Sequence, residues 1–293
     1  MQLILFLILF PILFLISILP FRALYILSDI VYLFVYHVFG YRKKVVRENL
    51  AITLPHLSDE ERLVIEKKSY RHLCDLFLEM IKTMSISRKE MDKRFVYKNW
   101  EEYELIENEG KSIALLCAHY ASYEWAVSLN SKISFKGFAI YKKINNKYFD
   151  KLVRNIRSKF HAELIPINKT AEVIEYNYLN NIKALYGFAS DQSPQLRANN
   201  YWHKFMGIEV PVYVGTEMLS KKFDLNILLI KIKKVKRGFY EAEFETLSTN
   251  VKEIPDFELM NVFLEKVEQQ ILEAPEFYLW THKRWKHRGK RPI

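Results

Sequence analysis

The residues best suited to chemistry collect in one stretch, Ala118-His119-Tyr120-Ala121-Ser122-Tyr123-Glu124-Trp125. A histidine with an ordinary pKa of ~6.5 takes a proton from an attacking hydroxyl near neutral pH, and a neighbouring carboxylate fixes its tautomer and stabilises the imidazolium. On one continuous helix, His119 and Glu124 would point about 140° apart and could not pair. They are expected to meet if His119 ends a strand and Ser122 caps the following helix, which puts Glu124 in its first turn. The start of that helix would offer free N–H groups and a positive dipole end to an oxyanion or a phosphate. The chemistry that fits is acyl transfer to a hydroxyl, with no protein nucleophile required.

The flanking pattern supplies the elements needed to position these groups. Ser58-Asp59-Glu60-Glu61 is a capping box, and Leu63, Ile65, Tyr70, Leu73, Leu76, Phe77, Met80 and Ile81 recur at helical spacing up to about Met84. A second box, Ser87 to Glu90, opens a short helix, and Trp100 to Asn108 reads as another that Gly110 closes. Strands are expected at Ile113 to Ala118, Gly137 to Tyr141, Glu163 to Ile167 and Ala184 to Ala189. Helices at Ser122 to Leu129, Lys147 to Phe160 and Thr170 to Leu179 fall between them. That alternation predicts an α/β fold with a mostly parallel central sheet covered by helices on both faces. Ile227 to Lys233 and Phe239 to Leu247 read as a strand pair turning at Arg237-Gly238, and residues 256 to 273 as a closing helix.

In open α/β sheets ligands bind beyond the carboxyl ends of the strands, so the polar residues following each strand are the candidates. They are His119 and Glu124, then Lys142 and Lys143, then Asp191 and Gln192. Asp191 and Gln192 either shape an acceptor site or cap the next segment. Arg154 and Arg157, at i and i+3, share a helix face and either hold a phosphate or form a solvated face. Glu79 and Lys82 are expected to pair on the long helix. Cys117, His119 and His203 lack a second closely spaced ligand pair, so no metal site is expected.

Lys and Arg outnumber Asp and Glu by 44 to 34, which favours anionic partners without choosing among them. Two isolated cysteines, Cys74 and Cys117, make no disulfide framework. Residues 1 to 41 carry formal charge only at Arg22 and Asp29, and residues 3 to 19 are apolar except for Pro11 and Ser17. We read 1–41 as a membrane anchor and 42–293 as the catalytic domain. At ~1.5 Å per residue, residues 3 to 19 reach about 26 Å, short for a crossing, and Pro11 is expected to kink them. Arg42, Lys43, Lys44 and Arg47 follow the apolar stretch, which puts the remaining chain on the cytoplasmic side. The ending Trp280 to Arg288 reads either as a basic aromatic contact with headgroups or as a final strand with solvated charges.

Several ordered blocks resemble the bacterial lipid A late acyltransferases, the lauroyl and myristoyl transferases of the lysophospholipid acyltransferase group with its HxxxxD/E motif. Tyr41 to Leu50 is similar to that family's YRxxVxxNL stretch, and His119 to Trp125 to its HxGNWE form. Tyr141-Lys142 stands where the family has YR, Asp191-Gln192-Ser193-Pro194 matches DQxP, and Tyr278 to Lys286 matches YxWxHxRxK. Ser122 in place of Asn, Lys142 in place of Arg, and the loose Tyr201 to Gly207 block depart from the pattern. The resemblance implies an inner-membrane enzyme of the cytoplasmic face with no bound cofactor. Its co-substrate would be an acyl-carrier-protein or coenzyme A thioester, and a lipid A precursor the acceptor. It implies substrate binding by Lys142, Arg154, Arg157, Asp191 and Gln192, and no role for nucleic acid. The alternatives are an acyltransferase acting on a glycerophospholipid or other glycolipid, and a non-enzymatic protein that binds anionic lipid.

Overall fold

The computed structural model describes residues 2–291. The chain opens with two apolar helices, α1 (Gln2–Ile18) and α2 (Phe21–Tyr32), and α2 continues as a π-helical turn to Val38. α1 runs through Pro11 without a break; the turn falls instead at Pro20, whose fixed φ suits the start of α2. Next come α3 (Lys43–Thr53), α4 (Asp59–Lys82), α5 (Arg88–Arg94), β1 (Phe95–Tyr97) and α6 (Trp100–Asn108). Both expected caps are made: Ser58 and Glu61 form a reciprocal box, and the Ser87 hydroxyl accepts from the Glu90 N–H.

The central part of the chain is built from β2 (Ile113–Cys117), β3 (Lys136–Tyr141), α7 (Lys147–Arg157), β4 (Glu163–Pro166), α8 (Thr170–Leu179) and β5 (Ala184–Ala189). After these come β6 (Trp202–Phe205), β7 (Ile208–Pro211), α9 (Gly215–Phe223), β8 (Asn226–Lys236), β9 (Phe239–Ser248) and α10 (Glu258–Glu273). Seven strands form one sheet in the order β1-β9-β8-β2-β5-β3-β4, parallel throughout except for the β8–β9 hairpin. This is the α/β architecture expected from the alternation. β2 lies at the centre, and its near-continuous apolar run Ile113 to Leu116 is buried, as a strand covered on both faces requires. The small β6–β7 hairpin, α9 and the edge strand β1 were not foreseen.

The apolar N-terminal segment is not a free stalk. α1 packs Leu13 and Ile16 against a buried cluster of Leu24, Leu78 and Ile81. The Lys82 ammonium, expected to pair with Glu79, instead donates at 2.7 Å to the carbonyls of Ser17 and Leu19. Those carbonyls lie where α1 ends and lack partners within the helix, so a cation there both bonds them and complements the dipole. Glu79 accepts from the hydroxyls of Tyr25 and Tyr240 at 2.8 and 2.9 Å.

The C-terminal block forms no strand; its basic residues Lys283, Lys286 and Arg288 stay exposed while the aromatic ones turn inward. Trp280, Arg284 and Trp285 are fully buried, and the Arg284 guanidinium donates to the Pro211 carbonyl. Asn49 on α3 donates to the carbonyls of Trp280 and His282 at 2.8 and 2.9 Å, so two blocks far apart in sequence fasten one another.

Candidate active site

β2 and β5 are adjacent and parallel, with Cys117 opposite Ala189. Two residues beyond each strand end stand His119 and Asp191, so the register alone sets them side by side. The His119 Nδ1 lies 2.7 Å from Asp191 Oδ1, which also accepts from the His119 backbone N–H at 3.1 Å. Asp191 is completely buried, and the imidazole keeps 18% of its surface exposed. With Nδ1 bound to the carboxylate, Nε2 is the ring nitrogen left to act.

The expected contact between His119 and Glu124 is not made. Both Glu124 oxygens are taken by the Arg157 guanidinium, at 2.9 and 2.6 Å. The physical reason is local: Ser122 does not cap, its hydroxyl is buried without a partner, and Tyr123–Ser131 winds as a 3-10 helix. Ala121 is held at φ +48, where an alanine stays only when its surroundings fix it. The C-terminal segment does that fixing. Ala121 N–H donates to the Phe277 carbonyl, Leu279 N–H donates to the His119 carbonyl, and Tyr120 and Tyr278 form a bridge. Glu124 is thereby turned toward the last turn of α7, and its charge reaches His119 only across space.

Burial pushes the His119 pKa down, but the Asp191 charge and hydrogen bond, helped by Glu124, outweigh it and leave it above its ordinary value. Burial pushes the Asp191 carboxyl up, and its contacts with His119 bring it below the usual carboxylate range. The pair therefore favours imidazolium beside carboxylate, the arrangement that a base needs after it has taken a proton.

The remaining candidates separate. Arg157 is committed to Glu124, whereas Arg154, one turn earlier on α7, is exposed, so the two do not form a free phosphate clamp. Lys142 and Lys143 are exposed just beyond β3, and Gln192 is half-buried beside Asp191. Burial pushes the Cys117 thiol up to about 12, which keeps it protonated and a poor metal ligand. A narrow slot bordered by Tyr70, His72, Leu76, Phe277 and Tyr278 reaches His119 from the α4 side. Its outer wall comes from the C-terminal block, a role the sequence did not suggest.

The family model described as bacterial lipid A biosynthesis acyltransferase matches residues 2–287. The chain belongs to that family. Among lipid A biosynthesis acyltransferases, it is 23% identical over 252 residues to a protein of Escherichia coli (strain K12) named lipid A biosynthesis palmitoleoyltransferase. A Shigella flexneri protein named lipid A biosynthesis acyltransferase matches to the same degree. Both alignments cover 84% of this chain and 79% of the relative.

Proposed function

We propose that this chain transfers a fatty acyl group from an acyl-carrier-protein or coenzyme A thioester to a hydroxyl of a lipid A precursor, at the cytoplasmic face of a bacterial inner membrane. The observation that carries the reading is the His119 imidazole, gripped at Nδ1 by a buried carboxylate beyond the central strand, with Nε2 left over beside a slot. His119 Nε2 takes the proton of the acceptor hydroxyl as its oxygen attacks the thioester carbonyl. The tetrahedral carbon then expels the thiolate, which recovers the proton from the imidazolium, so the ester and the free thiol leave a neutral histidine. Asp191 holds the tautomer and offsets the transient positive charge. Glu124 and Arg157 act as a bonded pair whose net charge tunes His119, and Lys142, Arg154 and Gln192 are assigned to substrate binding.

Residues 1–41 serve as the membrane anchor and 42–293 as the catalytic domain. The 18 residues Phe21–Val38 are long and apolar enough to cross a bilayer. Ile4, Ile8, Leu15, Ile26, Val38 and Phe39 are exposed large apolar groups that water disfavours, and a lipid surface covers them. Comparative lipid mass spectrometry, with and without the gene and with His119→Ala as complement, tests the proposal. We expect under-acylated lipid A in the deletion and in the His119→Ala strain. Normal lipid A with altered glycerophospholipids would replace the acceptor, and normal acylation by His119→Ala would end the mechanism.

A further inference from the structure

Beyond the narrow slot at His119, and sharing His72 and Phe277 with it as walls, lies a second and larger cavity of about 380 Å³. It opens between α4, the turn of the β8–β9 hairpin and Asp29 on α2, so its mouth is at the rim of the apolar helices. Five cations line it, Lys68, Arg71, Lys234, Lys236 and Arg237, against the three carboxylates Asp29, Asp75 and Glu276.

The carboxylates are already engaged. Arg237 binds Asp75 and Asp29 through contacts of 2.7 to 3.1 Å, Lys234 lies 3.5 Å from Asp75, and Lys68 lies 3.7 Å from Glu276. Arg71 and Lys236 have no carboxylate partner among the described residues. Their neighbours are aromatic: Arg71 sits 5.1 Å over the Tyr32 ring and Lys236 sits 4.5 Å over Phe239. Aromatic faces hold a cation in place without neutralising it, so both charges remain available to an anion. A guanidinium and an ammonium facing one cavity match the oxygens of a phosphate, the first by its planar fork and the second as a point charge.

We propose that this cavity is a phosphate site, in which Arg71 and Lys236 hold a phosphate of a bound substrate while its reacting end lies in the slot at His119. The inference deepens the acyltransferase reading and rests on it for the identity of the ligand. Both substrates of that reaction carry phosphate, the acceptor on its headgroup and the thioester donor on its carrier arm.

The test uses the full-length protein in nanodiscs. Binding of labelled inorganic pyrophosphate is measured for wild type, for Arg71→Ala/Lys236→Ala, and for Lys89→Ala/Lys93→Ala, which removes two exposed charges on α5. We expect saturable binding to wild type and to the α5 control. Affinity should fall roughly tenfold for each cavity cation removed, as loss of a charge-assisted contact implies. In the transfer assay, the cavity variant should raise the KM of one substrate by tenfold or more with kcat kept within about twofold. A raised acceptor KM places the headgroup phosphate in the cavity, and a raised donor KM places the carrier phosphate there. Absence of pyrophosphate binding, equal loss in the α5 control, or unmoved KM values in a folded cavity variant would each overturn the site. Because binding is read without turnover, pyrophosphate held normally by a protein with no acyltransferase activity would leave the site standing and sink the reaction.

Discussion

Replacing Asp191 with asparagine keeps the volume and removes the charge that the His119 ring faces. The wild-type imidazole has a raised pKa because Asp191 at 2.7 Å outweighs burial. A base must be neutral to work, so the wild-type kcat/KM should climb with pH through a value above the ordinary ~6.5. An opposite charge at such a distance moves a pKa by about 1–3 units, so Asp191→Asn should shift that limb down by about that much. The amide also presents an N–H to Nδ1, which drives the proton to Nε2 and leaves the acting nitrogen unable to accept. Changes of this kind in a histidine–carboxylate pair cost about 10²- to 10⁴-fold, roughly 3–5 kcal/mol of barrier. The assay is acyl transfer to a lipid acceptor from pH 5 to 9, with a thermal melt at each pH to establish that the variant is folded. Stability carries its own sign: the raised His119 pKa stabilises the fold fully below ~6.5, and that contribution is lost as pH rises through the folded value. A folded Asp191→Asn variant with activity within about tenfold of wild type, or with its limb unmoved, would refute the assignment of the orienting carboxylate.

Other perturbations follow from the same contacts. Burial raises Glu79 to about 7, so its contribution is complete below the ordinary 4.5 and gone once pH has passed about 7; melting should fall over that window by roughly 3 kcal/mol, and Glu79→Gln should flatten it. Arg157→Met strands the buried Glu124 carboxylate and should cost about 3–5 kcal/mol, while the Glu124→Gln/Arg157→Met double should recover much of it; additive losses in a denaturant cycle would contradict a coupled pair. Lys82→Met removes the ammonium from the Ser17 and Leu19 carbonyls, leaving only the Ser85 hydroxyl on Ser17, and should lower stability by about 2–4 kcal/mol while exposing the turn at Pro20 to protease. An unchanged cleavage pattern would show that apolar packing on Leu78 and Ile81, with the Ser85 hydroxyl, holds α1 without the ammonium.

Local signals carried much of this protein. Ser58 and Glu61 specify a capping box from the chemistry of their own side chains, and α6, α8 and β5 begin and end where periodicity and breakers put them. His119 was legible because a strand, a turn and a titratable group follow one another within a few residues. Its pairing with Asp191 was not. Asp191 is 72 residues away, and it reaches the ring because β2 and β5 are neighbours in register, a fact of strand order rather than of local pattern. Glu124 departs from its spacing for the same reason: spacing allows contact with His119, but hydrogen bonds from residues 277 to 279 set Ala121 at positive φ and turn the carboxylate to Arg157. Likewise Lys82, whose spacing suggests a pair with Glu79, and Arg284, which sits in a run readable as solvated charges, are buried in the fold, since only tertiary packing brings carbonyls to them. Periodicity and capping are properties of neighbours along the chain, so sequence determined the elements. Ion pairing and backbone strain depend on groups that meet across the sheet, so the tertiary structure chose which carboxylate serves the histidine.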